Sequence, residues 1–557
     1  MLGPVPRERS EWLIEKTEAV AERAMVTADQ PLAAGAGLDA LRAGGNAVDA
    51  AVTAAFAMGI VEPFTSGVGG VAVAVIRAAD GRTAVIDGST TAPLAAREDM
   101  FRVAGSGTAG MYGWPATVGN ENNAGPRSVG VPGMVGAMEL ALARYGTFTL
   151  RRALEPAIAL ASDGFEIDYY LALATAACAD RLWPNAEAKR VFFKEGGMPY
   201  RSALGLESGD RVVQPDLART LETIADGGAE AFYRGPIVDA IVDDVRALGG
   251  ILTREDFGAF RPRELAPLTC DYRGRMLVTV PEASGGITVV EALNLLEGFP
   301  LGELEQSGTA SLHLIAEASR RAFADRLTQL ADPQYTRVPF GRIASKEYAA
   351  ELRRSIDPAR AGQAAVAVGA DAAHTTHICA IDAQRTMVSL TATLGQGYGS
   401  GVVPRGTGIV LADVMTWFDP VPGRANSIAP GKRILWAPAP VLALRDGRPS
   451  FAAGSPGGRK VITGVLQTIV NLVDHGDGPQ AAVNRPRVHC EGRQTMIDAR
   501  VREEVRRELA AMGHDLVVRE ESIGSGWFGR PNAIAVDADG LLRAGVNRLK
   551  PSVAMGY

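Results

Sequence analysis

The feature that most constrains this chain is a break in pattern well past its midpoint. From Asp357 to Ala373 the sequence is rich in Ala, Gly and Val, has little periodicity and offers no large anchor, so it reads as a mobile connector. Immediately beyond it, Thr375 to Asp382 and Thr386 to Leu394 alternate with period two around a turn at Asp382-Ala-Gln-Arg385. That pattern predicts a strand pair beginning abruptly where the connector stops. At 557 residues the chain has the length of roughly four ordinary domains of ~150 residues, or of one large layered core.

The segment before the connector supports layers. Leu32 to Glu62 reads as two Ala-rich helices broken at Gly44-Gly45-Asn46, the second apolar nearly all round and hence buried. A Gly-rich turn, Ser66 to Gly70, precedes Val71 to Arg77 and Thr83 to Asp87, two apolar runs joined by Asp80-Gly81 as in a hairpin. Met134 to Ala370 is mostly helical by period, with stops at Ser162-Asp-Gly164 and Asp226-Gly-Gly228 and a helix over Ile287 to Leu296. Beyond the strand pair, further strands are predicted at Pro440 to Leu444, Ser450 to Ala453, Ala533 to Val536 and Leu541 to Val546, with a helix over Val461 to Asp474.

Composition removes several classes of function. Hydrophobic residues at 47% are too many for a disordered chain, and 57 Lys+Arg against 63 Asp+Glu, with no basic run, argue against a nucleic-acid partner. Met1 to Met25 is dense in charge, which excludes a signal or membrane segment there and predicts a cytoplasmic protein. Four separated cysteines form no CxxC pair. Six histidines form no HExxH and no obvious carboxylate set, and Gly454-Ser-Pro-Gly-Gly-Arg-Lys460 departs from a phosphate loop at Arg459. The reading therefore calls for no metal and no other cofactor.

The chemistry concentrates at His374-Thr375-Thr376-His377. A hydroxyl is a weak nucleophile without an adjacent base, and an α-amino group with a pKa near ~8 supplies one if the peptide before Thr375 is cut. On local sequence alone the same cluster also fits an ordinary strand start.

Thr375-Thr-His-Ile-Cys-Ala-Ile-Asp followed by Val388-Ser-Leu-Thr-Ala-Thr393 resembles the start of the small subunit of the γ-glutamyltranspeptidases, in the N-terminal-nucleophile hydrolase superfamily. Gly44-Gly-Asn-Ala-Val-Asp-Ala-Ala51, Gly130-Val-Pro-Gly133, Asp271-Tyr-Arg-Gly274, Ser284-Gly-Gly286, Ala331-Asp-Pro333, Gly454-Ser-Pro-Gly-Gly458 and Gly556-Tyr557 agree in order, so the resemblance covers about Met25 to Tyr557. It implies an α+β, four-layer αββα fold and a precursor that cuts itself between His374 and Thr375. Residues 1–374, with a linker at about 357–374, would form a large chain and residues 375–557 a small one, intertwined in one core. It further implies Thr375 as nucleophile, Thr393 as the residue orienting it, Gly457 and Gly458 as oxyanion donors, and a small-molecule amide as substrate.

The substrate positions depart from the family. Ser89 stands where an arginine holds the substrate α-carboxylate, and Gly395 replaces an asparagine. Trp417 stands for the aspartate that grips the amino group, and Trp436 and Ala437 stand for paired serines. Either Arg405 or Arg433 substitutes for the missing charge, or the pocket is rebuilt for an acyl amide that is not γ-glutamyl. The run Trp417 to Arg433 resembles cephalosporin (glutaryl) acylases and oxamate amidohydrolases of the family, without choosing between them.

Overall fold

The computed structural model describes residues 14–110, 112–362 and 373–557. The predicted strand pair is present as Ala373–Ile381 and Met387–Gln396. Its turn is built by Asp382, whose carboxylate accepts the Thr386 N–H (2.9 Å) and also the N–H of Ala47 (2.9 Å), so one side chain closes the hairpin and caps a neighbouring helix. That helix, Ala47–Val61, is capped by Asn46 in a capping box with Asp49 and is buried all round, as its composition predicts. Its small side chains let it lie against both strands of the pair.

The described residues form two seven-stranded sheets. In the first the order is Val553–Gly556, Met25–Ala28, Ala373–Ile381, Met387–Gln396, Val71–Arg77, Thr83–Gly88, Arg263–Leu265. The second runs Ala19–Ala21, Leu542–Gly545, Asn532–Val536, Arg448–Gly454, Val441–Arg445, Arg275–Thr279, Leu268–Tyr272. The sheets pack face to face, with helices Pro31–Arg42, Ala47–Val61 and Met134–Tyr145 outside the first and Gly285–Leu296, Thr309–Gln329 and Lys460–Val473 outside the second. This is the four-layer αββα arrangement expected from the sequence. All ten residues of Met387–Gln396 are buried, because both faces of that strand are covered. Each sheet contains strands from both sides of residue 374, paired directly with one another, so a cut there leaves two chains that separate only by unfolding both sheets.

The seam between the sheets is polar. His377 bonds Thr391 (2.9 Å) and Ser389 (3.2 Å), Ser389 reaches Ala453 O (2.9 Å), and Asn532 donates to His377 O (3.0 Å). Burial lowers the His377 pKa to about 3, so it is neutral at physiological pH.

Three readings from sequence are corrected. The stretch read as mostly helical also contributes Leu268–Tyr272 and Arg275–Thr279, whose hairpin turn is Arg273-Gly274, both at positive φ. The stop at Asp226-Gly-Gly228 is a break at Gly228 (φ 65°) within Pro215–Arg234. The described start of the connector is tied down: Ala361 N–H donates to Met512 O (2.8 Å), and Gly362 accepts from Arg320 and donates to Glu317 (3.1 Å). The rest of the connector, 363–372, lies outside the described residues, as do 1–13 of the charged amino-terminal segment.

Candidate active site

Pairing between the two central strands shifts register between His374 and Thr376, so that Thr393 and Leu394 face the single residue Thr375. Such a bulge re-aims side chains at a sheet end. Leu394 leaves the ladder: its N–H donates to Thr65 O (3.1 Å) and its carbonyl accepts from Asp413 N–H (3.1 Å). Thr393 is thereby turned onto the peptide before Thr375. Its hydroxyl donates to the His374 carbonyl (2.8 Å) and accepts the Gly395 N–H (3.0 Å). A threonine hydroxyl has one proton, and that proton is committed to His374 O. The 3.2 Å contact between the two threonine hydroxyls therefore has Thr375 as donor. The nucleophile candidate points its proton at Thr393 and keeps both lone pairs.

The strand Arg448–Gly454 ends in Ser455-Pro456-Gly457-Gly458, which leads into helix Lys460–Val473. A Cβ at Gly454 would collide with the His377 ring, and Gly457 and Gly458 have φ of 129° and 60°, where L side chains are strained. Neither Gly457 nor Gly458 donates its N–H to an acceptor among the described residues. Both precede a helix N-terminus, where the aligned peptide dipoles favour negative charge.

Thr375, His374 and Gly457 line one cavity of about 220 Å³. Lys460, Arg530 and Lys550 line it too, with Tyr170 and Trp527, and among the described residues no carboxylate does. Lys550 is neutralised from behind by Asp29 (2.9 Å) and Glu62 (3.6 Å), and Asp29 also accepts from Thr376 (3.2 Å). Burial raises the Glu62 pKa to about 8, so the firm ion pair is Lys550 with Asp29. Burial, reinforced by Arg530, Lys550, Arg181 and Lys460, lowers the His374 pKa to about 3. The scissile-peptide candidate thus sits in a positive field without a charge of its own.

The sequence matches the Gamma-glutamyltranspeptidase family over residues 33–557. The chain belongs to that family. It is 39% identical to the acylase ACY 1 proenzyme of Pseudomonas sp. (strain V22), over 97% of this chain and 95% of that one. It is 36% identical to the glutathione hydrolase proenzyme of Pseudomonas sp. (strain A14), over 84% and 82%. The solved structure of the cephalosporin acylase from Bacillus halodurans superposes with a TM-score of 0.87 at 29% identity, covering 100% of this chain and 99% of that one. As a γ-glutamyltranspeptidase-family member the protein is an enzyme of the hydrolase/transpeptidase type, and its family's amide chemistry frames the remaining positions.

Among the γ-glutamyltranspeptidase substrate positions, the structure joins some and separates others. Gly395 adjoins Thr375 through Thr393, at φ 101°; a side chain there would run into the Asp413 carboxylate and meet the Trp417 ring at 3.3 Å. Burial raises the Asp413 pKa to about 7. Ser89 and Trp436 line a second, small cavity, where the Arg433 guanidinium approaches the Ser89 hydroxyl (3.3 Å) amid Asp87, Arg263 and Glu282. Trp417, Trp436 and Ala437 are buried, and none of the five substrate positions lines the Thr375 cavity. Arg405 pairs with Asp244 (2.6 Å).

Sequence reasoning missed Arg530, Lys460, Lys550 and Tyr170. The available signal was a lone cation after Gly524-Ser-Gly-Trp-Phe-Gly529, a run too turn-rich for either periodicity. It also missed that histidines do have carboxylate neighbours: His489 lies 2.9 Å from Glu491, and His313, Glu317 and His514 converge. Glu317 is held there by Arg320 and Arg321 (2.8 and 2.6 Å), and His313 bonds His514 (2.8 Å). These partners come from elements far apart in the chain or from helix spacing that no short motif records.

Proposed function

We propose that the protein cuts its own chain before Thr375 and then hydrolyses a carboxylated acyl amide through an acyl-Thr375 ester. The observation that carries this is the hydroxyl pair: Thr375 donates to Thr393, and Thr393 donates to the carbonyl of the bond to be cut. As the Thr375 oxygen attacks the His374 carbonyl carbon, its proton passes to Thr393 and the Thr393 proton passes to the carbonyl oxygen. The tetrahedral centre forms neutral. Its collapse breaks the C–N bond, with the proton moving to nitrogen, and leaves a His374 ester on the Thr375 oxygen and a free Thr375 amine. Water then hydrolyses the ester and completes the cut.

In turnover the freed amine takes the hydroxyl proton during attack on substrate and returns it to the departing amine. Gly457 and Gly458 N–H groups hold the oxyanion, an arrangement worth roughly 10²–10³-fold per donor. An ammonium beside Arg530, Lys460 and Lys550 is disfavoured, so the Thr375 amine has a pKa below the ~8 of a free α-amino group. Protonated, it cannot accept a proton. The rate of the processed enzyme is therefore expected to rise with pH through an apparent pKa below ~8 and then level off. A kcat/KM profile that falls with pH over the same range contradicts this base.

The absence of a carboxylate from the cavity lining among the described residues, beside three cations, favours an acyl group that carries a carboxylate and lacks an α-amino group. The similarity to acylase ACY 1 supports the same choice. In a panel of anilides, glutaryl and oxalyl derivatives are expected to exceed γ-glutamyl in kcat/KM by roughly tenfold or more, since one uncompensated buried charge costs several kcal/mol. If glutathione or γ-glutamyl anilide is the best substrate, the enzyme is an ordinary γ-glutamyltransferase. A chain that stays full-length on prolonged incubation and turns over none of the panel is a binding scaffold of the same fold.

A further inference from the structure

We propose that Arg530 is the residue that receives the substrate carboxylate and so measures the length of the acyl chain; this rests on the proposed function above. Arg530 is 6% exposed and lines the Thr375 cavity. Its guanidinium donates only to neutral acceptors: the Tyr170 hydroxyl, Ile523 O (3.2 Å) and Ser525 O. Among the described residues no carboxylate lies within ion-pair distance of it, and its buried Nε has no acceptor. A guanidinium removed from water without a counter-charge is costly, and a carboxylate supplied by the ligand relieves that cost. Lys550 differs, being already paired with Asp29 and Glu62. Tyr170 adds a donor: its oxygen accepts from Arg530, which leaves its own proton to give.

The anchor and the oxyanion turn form one unit. The Arg530 N–H donates to Ser455 Oγ (2.9 Å) and to Pro456 O (3.1 Å), and a Cβ at Gly457 would come within 2.9 Å of Gly529 Cα. The residues flanking the reacting carbonyl and the one binding the far carboxylate therefore cannot drift apart. A rigid spacing of this kind favours a diacid monoamide of one length over its shorter and longer homologues.

The test compares glutaryl anilide with valeryl anilide, which has the same chain length without the charge, on processed wild type and on Arg530→Gln. The variant is expected to lose about 30-fold or more in kcat/KM for the glutaryl substrate, chiefly through KM, as for lost hydrogen bonds to a charged group. Read on the pH plateau of each enzyme, its valeryl rate should fall several-fold less than its glutaryl rate, so that the glutaryl-to-valeryl ratio drops about tenfold or more. Arg530→Lys should recover part of the glutaryl preference over valeryl, and Tyr170→Phe should lower that preference a few-fold. Equal losses on both substrates overturn the proposal. Calorimetry with glutarate and valerate decides it independently of turnover: glutarate should bind wild type and not Arg530→Gln, and valerate neither. If wild type hydrolyses nothing in the panel, the proposed function fails while this binding comparison still stands or falls by itself. Should Arg530→Gln not fold, an unchanged glutaryl-to-valeryl ratio in Arg530→Lys and Tyr170→Phe overturns the assignment.

Discussion

Thr375→Ala is expected to purify as one full-length chain and to show no amide hydrolysis, whereas wild type is expected to resolve on a denaturing gel into two fragments, the smaller beginning at Thr375. The loss should be at least about 10⁴-fold, the scale on which removing a covalent nucleophile acts. Both effects follow from one atom, because in the proposed mechanism the hydroxyl that attacks the His374 carbonyl in the precursor is the hydroxyl that attacks substrate afterwards. Misfolding is not an adequate alternative explanation. The side chain gives the fold a single hydrogen bond, to Thr393, worth about 1 kcal/mol, so the melting temperature should move by only a few degrees. Thr375→Ser keeps the hydroxyl and should still process, more slowly. Two fragments from Thr375→Ala, the smaller again beginning at residue 375, would mean that another group cuts the chain.

The strand pair, the Ala-rich buried helix and the glycine turn before Lys460–Val473 were legible because each is a local pattern: period two, continuous small apolar residues, and Gly-Pro chemistry at a strand end. The bulge at Thr375 was not, since it depends on which residue of Met387–Gln396 faces which residue of Ala373–Ile381. The strands Leu268–Tyr272 and Arg275–Thr279 were hidden for a related reason: five-residue runs inside a helical stretch carry little period, and their place is fixed by pairing with Val441–Arg445. Family resemblance pointed to Thr375, Thr393 and the glycine pair, but the positions where the chain departs from its family could not be interpreted from sequence. Gly395 shows why. Whether its missing side chain opens a pocket depends on Asp413 and Trp417, and these fill the space. Arg530 was invisible on the same principle, for the lack of any carboxylate within ion-pair distance of it among the described residues is a fact about the folded surroundings.

Thr393→Val is expected to slow self-cleavage by roughly 10²–10³-fold, the scale seen when one hydrogen-bond donor to a reacting carbonyl oxygen is deleted. The substitution is close to isosteric, so shape is kept and the hydroxyl alone is lost. That hydroxyl makes three contacts at once: it accepts from Gly395 N–H (3.0 Å) and from Thr375 (3.2 Å), and it donates to His374 O (2.8 Å). Losing the first leaves a buried N–H unsatisfied, which costs about 1–3 kcal/mol of stability and lowers the melting temperature by several degrees. Losing the other two removes both the acceptor for the nucleophile's proton and the donor to the carbonyl. A purely structural role for Thr393 would lower stability and leave the cleavage rate of the folded fraction near wild type. The relay requires the opposite weighting, with a rate loss far larger than the stability loss explains, and Thr393→Ser should restore most of the rate. Time courses of the two-fragment pattern, run below the melting temperature of every variant, separate these outcomes: wild-type kinetics in Thr393→Val would eliminate the hydroxyl relay and leave the scissile carbonyl to be polarised by another donor.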